Sequence, residues 1–275
     1  MVILFFGDVF GRPGREALKK ILPNWYKKYK PDFTIANIEN IAHGSGITYS
    51  TLKDIDDLGI FNAYTSGNHI WNRSETKELL QNDSLPILRP LNYTKAFPGK
   101  GYKIIQSGAK RLLIINLLGR VFMKDKESEN LSNLLLAVDE VLEDYSIDEM
   151  EITKDMVDGI FIDIHAEATA EKRVLGAYLD GRVSAIVGTH THVPTRDEQI
   201  LPHGTAYITD VGMVGPYNSS VGLDFKNMIQ EYLTETKQKK EIGDDPLVEV
   251  GAVLIKLNKK GLADEIQHLR ELVQK

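Results

Sequence analysis

Acidic, amide and imidazole side chains follow five short apolar runs of this chain, each at the point where the run ends. They are Asp8, Glu39, Asn40, Asn68, His165, His190 and His192. Because loops at the carboxyl ends of parallel strands converge on one crevice of an open α/β sheet, we expect these side chains to lie together. Carboxylate and amide oxygens with imidazole nitrogens, and no thiolate, suit Mn, Fe, Zn or Co more than Mg or Ca alone. The sequence therefore predicts a metal-dependent hydrolase.

Each residue of this set also has a simpler interpretation as part of an ordinary turn, since Asn, Asp and Gly are common in loops after strands. The spacing of His190 and His192 is weak support by itself, although residues i and i+2 of an extended segment face the same side. The recurrence of such groups at five strand ends is what favours a shared site.

The apolar runs before these residues predict the strands that position them. They cover Val2 to Phe6, Phe33 to Ile38, Ala63 to Ser66, Ile160 to Ile164 and Ala185 to Val187. Helix-like segments alternate with them: Arg15 to Tyr29 after a turn at Gly11 to Gly14, Thr51 to Leu58, Ser74 to Gln81 with Ser74 as the N-cap, and Leu131 to Tyr145. This alternation is typical of an α/β fold with parallel strand pairs.

Two hairpins are predicted in the more β-rich remainder of the chain. One joins Tyr102 to Ser107 with Leu112 to Leu117, and the other joins Val248 to Leu257 with Ala263 to Leu269. In the second hairpin, Gly261 can take the left-handed conformation that a short loop needs. The segment from Lys124 to Asp158 is strongly acidic, and its charges are interpreted as a solvated face around the Leu131 to Tyr145 helix.

Length, charge and cysteine content exclude several classes of protein. A chain of 275 residues with 42% hydrophobic residues can fill one sizeable core, so we expect a single domain over residues 1–275. A net charge of −6 argues against stable binding of duplex nucleic acid. The chain contains no cysteine, and its apolar start is too short for a signal peptide or a membrane span. These features favour a cytoplasmic protein; a homo-oligomer is left open.

Six motifs follow one another along the chain in an order that is highly specific. They are Gly7-Asp8-Val9-Phe10-Gly11, Ile38-Glu39-Asn40, Gly67-Asn68-His69-Ile70-Trp71, Asp163 to Thr169, Gly188 to Thr195, and Thr209-Asp210-Val211-Gly212-Met213. The set resembles the calcineurin-like metallophosphoesterases and, within them, the bacterial branch of 2′,3′-cyclic-nucleotide 2′-phosphodiesterases. Phe10, where most of the superfamily has histidine, and the Glu39-Asn40 pair mark this branch. The segment from Asp125 to Asp158 is longer than the branch usually has.

The resemblance implies a four-layer metallophosphoesterase sandwich, in which two central mixed β-sheets are flanked by helices. It also implies two divalent or mixed-valence transition-metal ions per chain, iron and/or manganese. Carried over by position, Asp8, Asn40 and His192 would bind one ion, Asn68, His165 and His190 the other, and Glu39 both. The implied substrate is a small nucleotide phosphodiester, a 2′,3′-cyclic nucleotide opened at its 2′ ester bond to give a 3′-nucleotide.

His69, next to a proposed ligand, is the residue we expect to transfer a proton, because a 2′ alkoxide leaves poorly unless it is protonated. The alternative is that His69 only orients Asn68. His43 is a weaker candidate for the substrate pocket, and His203 and His268 are interpreted as structural or surface residues. Glu167 is a candidate acceptor that would fix the tautomer of a ligand histidine.

Arg12 and Arg15 flank the first motif and could bind a phosphate, although arginines near a helix start are often solvated. Three other functions stay open: a phosphatase, nucleotidase or nuclease acting on another phosphoester; an amidohydrolase, in which the His-x-His pair normally comes on the first strand; and a regulatory metal-binding module with little turnover. Activity on a panel of substrates distinguishes them.

Overall fold

The structure is a computed structural model that describes residues 1–94, 97–123, 131–148 and 154–275, and its described part is built around two mixed β-sheets. The first sheet contains β1 (Val2–Phe6), β2 (Asp8–Val9), β3 (Phe33–Asn37), β4 (Ala63–Thr65), β13 (Met213–Pro216), β14 (Leu247–Leu257) and β15 (Ala263–Gln274). The second contains β5 (Tyr102–Ser107), β6 (Lys110–Leu118), β9 (Gly159–His165), β10 (Ala185–Thr189), β11 (Gln199–Ile200) and β12 (Ala206–Ile208). A separate parallel pair is formed by β7 (Tyr145–Ser146) and β8 (Asp155–Met156).

Strand order explains why the polar residues at the strand ends meet. The first sheet has the order β2-β13-β14-β1-β3-β4 with β15 beside β14, and the second has the order β11-β12-β10-β9-β6-β5. Strands β1, β3 and β4 are mutually parallel neighbours, as are β6, β9, β10 and β12. Their carboxyl ends therefore collect at one edge of each sheet, as the predicted parallel pairing requires.

The described residues contain seven helical segments, and several of them cover the outer faces of the two sheets. The segments are α1 (Gly11–Tyr29), α2 (Tyr49–Asp56), a 3₁₀ helix (Asn68–Asn72), α3 (Thr76–Gln81), α4 (Leu134–Leu142), α5 (Thr169–Leu179) and α6 (Phe225–Thr234). The buried face of α1, including Leu18, Leu22 and Trp25, shares one core with the first sheet. Buried residues of α4 and α5, such as Val138 and Leu175, share another with the second sheet.

The alternation of side chains along β1 divides the core into layers. Leu4 and Phe6 face the helices, whereas Ile3 and Phe5 face the second sheet in a core that both sheets share. Phe5 contacts Phe161 of β9 in that shared core, with ring centroids 5.2 Å apart. The order of layers is thus helix, sheet, sheet, helix, which confirms the predicted four-layer α/β sandwich.

Several predicted helix boundaries are wrong. The helix predicted from Thr51 to Leu58 is α2, Tyr49–Asp56, so it begins and ends two residues earlier. The predicted turn at Gly11 to Gly14 is the first turn of α1. Pro13 is tolerated there because the N–H groups of a helix's first turn have no carbonyl of the same helix to bond, so the missing N–H of proline costs no hydrogen bond. Ser74 is not the N-cap of α3, which begins at Thr76, whose hydroxyl donates to the Ile47 carbonyl at 3.2 Å. Helix α4 begins at Leu134 because the Asn133 side chain accepts from the Leu135 and Leu136 N–H groups, and it ends before β7.

Both predicted hairpins are present. Strands β5 and β6 pair antiparallel up to Ser107 and Lys110, and β14 pairs with β15 along their length. Gly261 has a φ of +74°, the left-handed conformation expected of it. Residues 124–130 and 149–153 of the acidic segment lie outside the described residues, so its role stays untested. Within the described chain, no helix is long and apolar enough to cross a membrane.

Candidate metal centre

Both sheets contribute side chains to one site at the carboxyl ends of their strands. From the first sheet come Asp8 in β2, Glu39 and Asn40 after β3, and Asn68 in the 3₁₀ helix after β4. From the second come His165 at the end of β9, and His190 and His192 just after β10. The contacts among them fall into two groups that share Glu39.

The first group consists of Glu39, His165 and His190, whose ligand atoms all lie within 4.8 Å of one another. His165 Nε2 lies 3.2 Å from Glu39 Oε1 and 3.0 Å from His190 Nδ1. Glu39 and His165 are fully buried. A bound cation would lie among these three groups, which offer one carboxylate oxygen and two imidazole nitrogens.

The second group consists of Asp8, Asn40 and His192, again with Glu39. Asn40 Nδ2 lies 2.9 Å from Glu39 Oε1, 3.4 Å from Asp8 Oδ1 and 3.1 Å from His192 Nε2. Here an amide N–H stands among three groups able to bind a cation. Exchange of the amide oxygen and nitrogen by side-chain rotation would present an oxygen ligand to the same position. His69 Nδ1, which lies 2.8 Å from Asn40 Oδ1, would then face the amide nitrogen.

Gly67 lies against the first group, and Asn68 follows it in the chain. Asn68 Oδ1 is buried without a hydrogen-bond partner among the described residues, which leaves an amide oxygen available to a cation. A Cβ atom at Gly67 would lie 2.2 Å from Glu39 Oε2 and 2.2 Å from the His165 ring, so only glycine fits against these two groups. The residues present therefore fit two transition-metal ions. They offer two carboxylates, imidazole nitrogens and amide groups, and one of the amide oxygens is buried without a hydrogen-bond partner among the described residues.

Burial and charge set the protonation of the group. Burial lowers the pKa of His165, but the charge of Glu39 outweighs it and raises the pKa to about 9. Burial would raise the pKa of Glu39, but the facing His165 holds it well below its usual range. Burial and the neighbouring His165 lower the pKa of His190 to about 3. Glu39 is thus an anion and His190 a neutral imidazole at neutral pH, which are the forms that bind metal.

A chain of hydrogen bonds orients His165. Its Nδ1 lies 2.9 Å from the Thr189 hydroxyl, and that hydroxyl donates to Asp163 Oδ1 at 2.7 Å. Asp163 also accepts from Thr65 and Asn37, and its burial raises its pKa to about 6. With Nδ1 protonated and directed at Thr189, Nε2 is the nitrogen that faces Glu39 and His190.

Hydrogen bonds to buried side chains hold the backbone of the loop that carries His190 and His192. Both histidines have positive φ, +100° and +64°, a conformation that non-glycine residues seldom adopt. Lys172, fully buried, donates to the Thr189 carbonyl at 2.8 Å and to Asp210 Oδ2 at 2.9 Å, and Asp210 also accepts from the Thr191 N–H at 3.2 Å. From the other side, the His190 N–H donates to Asp8 Oδ2 at 3.0 Å.

His69 lies at the rim of the site. Its backbone N–H donates to Glu39 Oε2 at 3.1 Å, and its Nδ1 lies 2.8 Å from Asn40 Oδ1. Its side chain contacts Asn40 rather than Asn68, the residue it was expected to orient under the alternative interpretation. Burial lowers its pKa, but the hydrogen bond and charge of Glu39 raise it overall. The side chain is 37% exposed, so it is open to a substrate.

Of the other residues considered from the sequence, one contacts a proposed ligand histidine and the rest lie outside the two groups. Glu167 Oε2 lies 3.1 Å from His190 Nε2, the contact expected of a residue that fixes a histidine tautomer. Arg15 binds Asp54 and the Ile41 carbonyl and is therefore structural, while Arg12 is exposed. His43 is exposed at a φ of +57°, outside the two groups, and so is His203. His268 donates to the Val211 carbonyl at 3.0 Å, in keeping with a structural role.

Sequence reasoning assigned no role to four supporting residues: Asp163, Thr189, Lys172 and Asp210. Asp163 was detectable, since a carboxylate inside the apolar strand Gly159–His165 must be compensated by hydrogen bonds. Lys172 gave no signal, because a lysine on a helix is usually solvated and only the packing of α5 reveals its burial.

Comparison with known proteins finds relatives that match this chain over nearly its whole length. The profile of a family described as YmdB-like protein matches residues 4–269. A 2′,3′-cyclic-nucleotide 2′-phosphodiesterase of Bacillus subtilis strain 168 is 43% identical over 255 residues, 92% of this chain and 90% of that protein. A hypothetical protein from Thermus thermophilus has a similar structure, with a TM-score of 0.87, 36% identity and 99% of each chain covered. A novel phosphatase from Mycoplasma pneumoniae has a TM-score of 0.87 and 29% identity, covering 100% of this chain and 94% of that one.

Proposed function

Since the chain belongs to the family of YmdB-like proteins, we propose that it is a metal-dependent phosphodiesterase that hydrolyses 2′,3′-cyclic nucleotides at the 2′ ester bond to give 3′-nucleotides. Membership of this family confirms the resemblance found in the motifs, and the Bacillus subtilis relative carries this activity in its name. The observation that supports the proposal best is the position of Glu39. One of its carboxylate oxygens lies within 3.2 Å of both His165 Nε2 and Asn40 Nδ2, and so adjoins both ligand groups.

We assign Asp8, Asn40 and His192 to one metal ion, Asn68, His165 and His190 to the other, and Glu39 to both. The set contains two carboxylates, and its other ligands are neutral when they bind metal. Two divalent ions would therefore leave the site with net positive charge, which attracts a phosphodiester anion. The oxygen and nitrogen ligands suit iron and/or manganese, the metals that the family resemblance implies.

When bound, the two ions supply Lewis-acid stabilisation of the phosphoryl oxygens and activation of the attacking water. The chain's own residues do the rest. Asp8 and Glu39 fix the ligand geometry from the first sheet, while the Thr189 and Asp163 hydrogen bonds hold His165 in the tautomer that presents Nε2. His69, with its raised pKa and exposed ring, holds a proton that it can donate to the leaving 2′ oxygen.

A panel of substrates tests the proposal. Protein reconstituted with Mn²⁺ or Fe²⁺ should hydrolyse 2′,3′-cyclic AMP to the 3′-nucleotide, should act on bis-p-nitrophenyl phosphate, and should leave 3′,5′-cyclic AMP intact. Release of the 2′-nucleotide instead would contradict the assigned bond. Hydrolysis of phosphomonoesters or RNA alone would favour the phosphatase or nuclease alternative, and tight metal binding with no turnover would favour the regulatory module.

A further inference from the structure

A cavity of about 640 Å³ adjoins the metal centre on the side of His192. One wall is the loop after His192, from Val193 to Glu198; the other is the inner face of the first sheet, including Met213 and Glu249. Its volume lies within the range of about 300–1,000 Å³ that is usual for small-molecule sites. His192 borders both spaces: its Nε2 faces Asp8 and Asn40, while its Nδ1 contacts the Val221 carbonyl, 2.7 Å away at the cavity rim.

The cavity is lined by groups that suit an uncharged aromatic molecule. Two arginines, Arg196 and Arg270, face two glutamates, Glu198 and Glu249, so the formal charges cancel. Tyr217 lies at the edge, 42% exposed, with the guanidinium of Arg270 5.6 Å from its ring centroid. An exposed aromatic ring at the edge of a cavity offers a stacking surface for a planar base.

Glu198 supplies an unsatisfied acceptor. Its Oε2 is buried and has no hydrogen-bond partner among the described residues, unlike Glu249, which accepts from Arg270. A buried carboxylate oxygen without a donor is costly, so a ligand that brings an N–H or O–H group is favoured there. The same carboxylate repels a phosphate, which directs the anionic end of a substrate to the metal side.

We propose that this cavity is the nucleoside subsite of the enzyme, with Tyr217 stacking against the base and Glu198 accepting a hydrogen bond from its amino group. The inference rests on the proposed function, because the cavity would bind the nucleoside part of a cyclic nucleotide while the metal centre binds the phosphate. It assigns selectivity to residues remote from the reacting phosphorus. A phosphodiester with neither an aromatic group nor a hydrogen-bond donor gains nothing from the cavity.

The test uses metal-loaded Tyr217→Ala and Glu198→Gln, with Tyr232→Ala and Glu143→Gln as matched controls at exposed positions outside the cavity. Tyr217→Ala should raise KM for all four 2′,3′-cyclic nucleotides about tenfold, as expected from loss of a stacked base, with kcat little changed. Glu198→Gln should raise KM several-fold for cyclic AMP, GMP and CMP and least for cyclic UMP, because uracil has no amino group. Hydrolysis of bis-p-nitrophenyl phosphate should stay at the wild-type level in Glu198→Gln, because a nitrophenyl group has no N–H or O–H to donate to Glu198.

The outcomes distinguish this inference from the proposed function. Equal losses on cyclic nucleotides and on bis-p-nitrophenyl phosphate in Glu198→Gln would mean that the variant disturbs the metal centre, and would overturn the subsite; so would wild-type KM values throughout. If wild-type protein does not turn over cyclic nucleotides, the proposed function fails, and titration calorimetry with nucleoside 3′-monophosphates then decides the subsite. Unchanged affinity in Tyr217→Ala in that titration overturns it, and weakened affinity supports it.

Discussion

Lys172 donates to Asp210 at 2.9 Å in an ion pair that is fully buried beneath the loop carrying His190 and His192. The pair does more than neutralise two charges. Through the Thr189 carbonyl and the Thr191 N–H, it fixes the backbone on both sides of His190, where φ is positive. We infer that it holds two proposed ligands in a conformation that the chain would otherwise leave.

Lys172→Met should therefore weaken both the fold and the metal centre. Removing one partner of a buried pair leaves an uncompensated charge, which costs about 3–5 kcal/mol of unfolding free energy. Loss of a residue that orients ligands should reduce metal affinity about 10–100-fold. Denaturant unfolding and metal titration measure the two effects. Lys53→Met, which breaks the exposed pair with Asp57, is the control. A Lys172→Met protein with wild-type metal affinity would show that the pair is only structural.

Glu39→Gln and His190→Ala should abolish turnover and lower the metal content from two ions per chain. Each substitution removes a proposed ligand without removing core volume, so circular dichroism should show a folded protein. Elemental analysis after reconstitution measures the content, with exposed Glu143→Gln as the control for the loss of a carboxylate. Full activity in either variant with two ions still bound would place the site elsewhere.

His69→Ala should retain both metals and bind substrate, yet lose about 10²–10⁴-fold in kcat on a 2′,3′-cyclic nucleotide. The defect should shrink on bis-p-nitrophenyl phosphate, because p-nitrophenolate leaves readily without a proton whereas a ribose alkoxide does not. His203→Ala, at an exposed histidine, serves as the control. An equal loss on both substrates would reassign His69 to positioning Asn40, which it contacts.

Metal affinity should rise with pH from about 6.5 to 9. In protein stripped of metal, the pKa of His165 is raised to about 9, so a proton must leave Nε2 before a cation binds. Because His165 is protonated below that pH, each unit of pH should strengthen binding of the first ion about tenfold. Titration calorimetry in buffers of different ionisation enthalpy should show about one proton released at about pH 7.5 when the ion that His165 binds is taken up, and none that depends on His165 for the other ion. A flat pH profile would contradict the raised pKa.

Much of the architecture could be predicted because it rests on local patterns. The predicted strands Val2 to Phe6, Ile160 to Ile164 and Ala185 to Val187 agree with β1, β9 and β10 within two residues at each end. The hairpin with Gly261 is also where turn chemistry requires it. Position after a strand end was sufficient to nominate the residues that meet at the site, since strand direction alone brings them to one edge.

What could not be predicted depends on contacts between segments distant in the chain. The start of α3 is set by the bond from Thr76 to the Ile47 carbonyl, not by the cap residue Ser74. The burial of Lys172 depends on where α5 lies against β10, and the cavity beside His192 exists only because a loop of the second sheet faces the first. No periodicity or spacing in the sequence records such packing.

The division of the proposed ligands between the two sheets has a consequence for biosynthesis. Strand β1 pairs with β14, which spans Leu247–Leu257, so the sheet that carries Asp8 is complete only when nearly all of the chain has been made. Asp8 and Glu39 leave the ribosome early but cannot be matched with His165, His190 and His192 until then. We expect ribosome-bound chains ending at residue 246 to retain no metal in a pull-down with radioactive manganese. We therefore expect this protein to acquire its metal ions after translation, so that only completed chains bind metal.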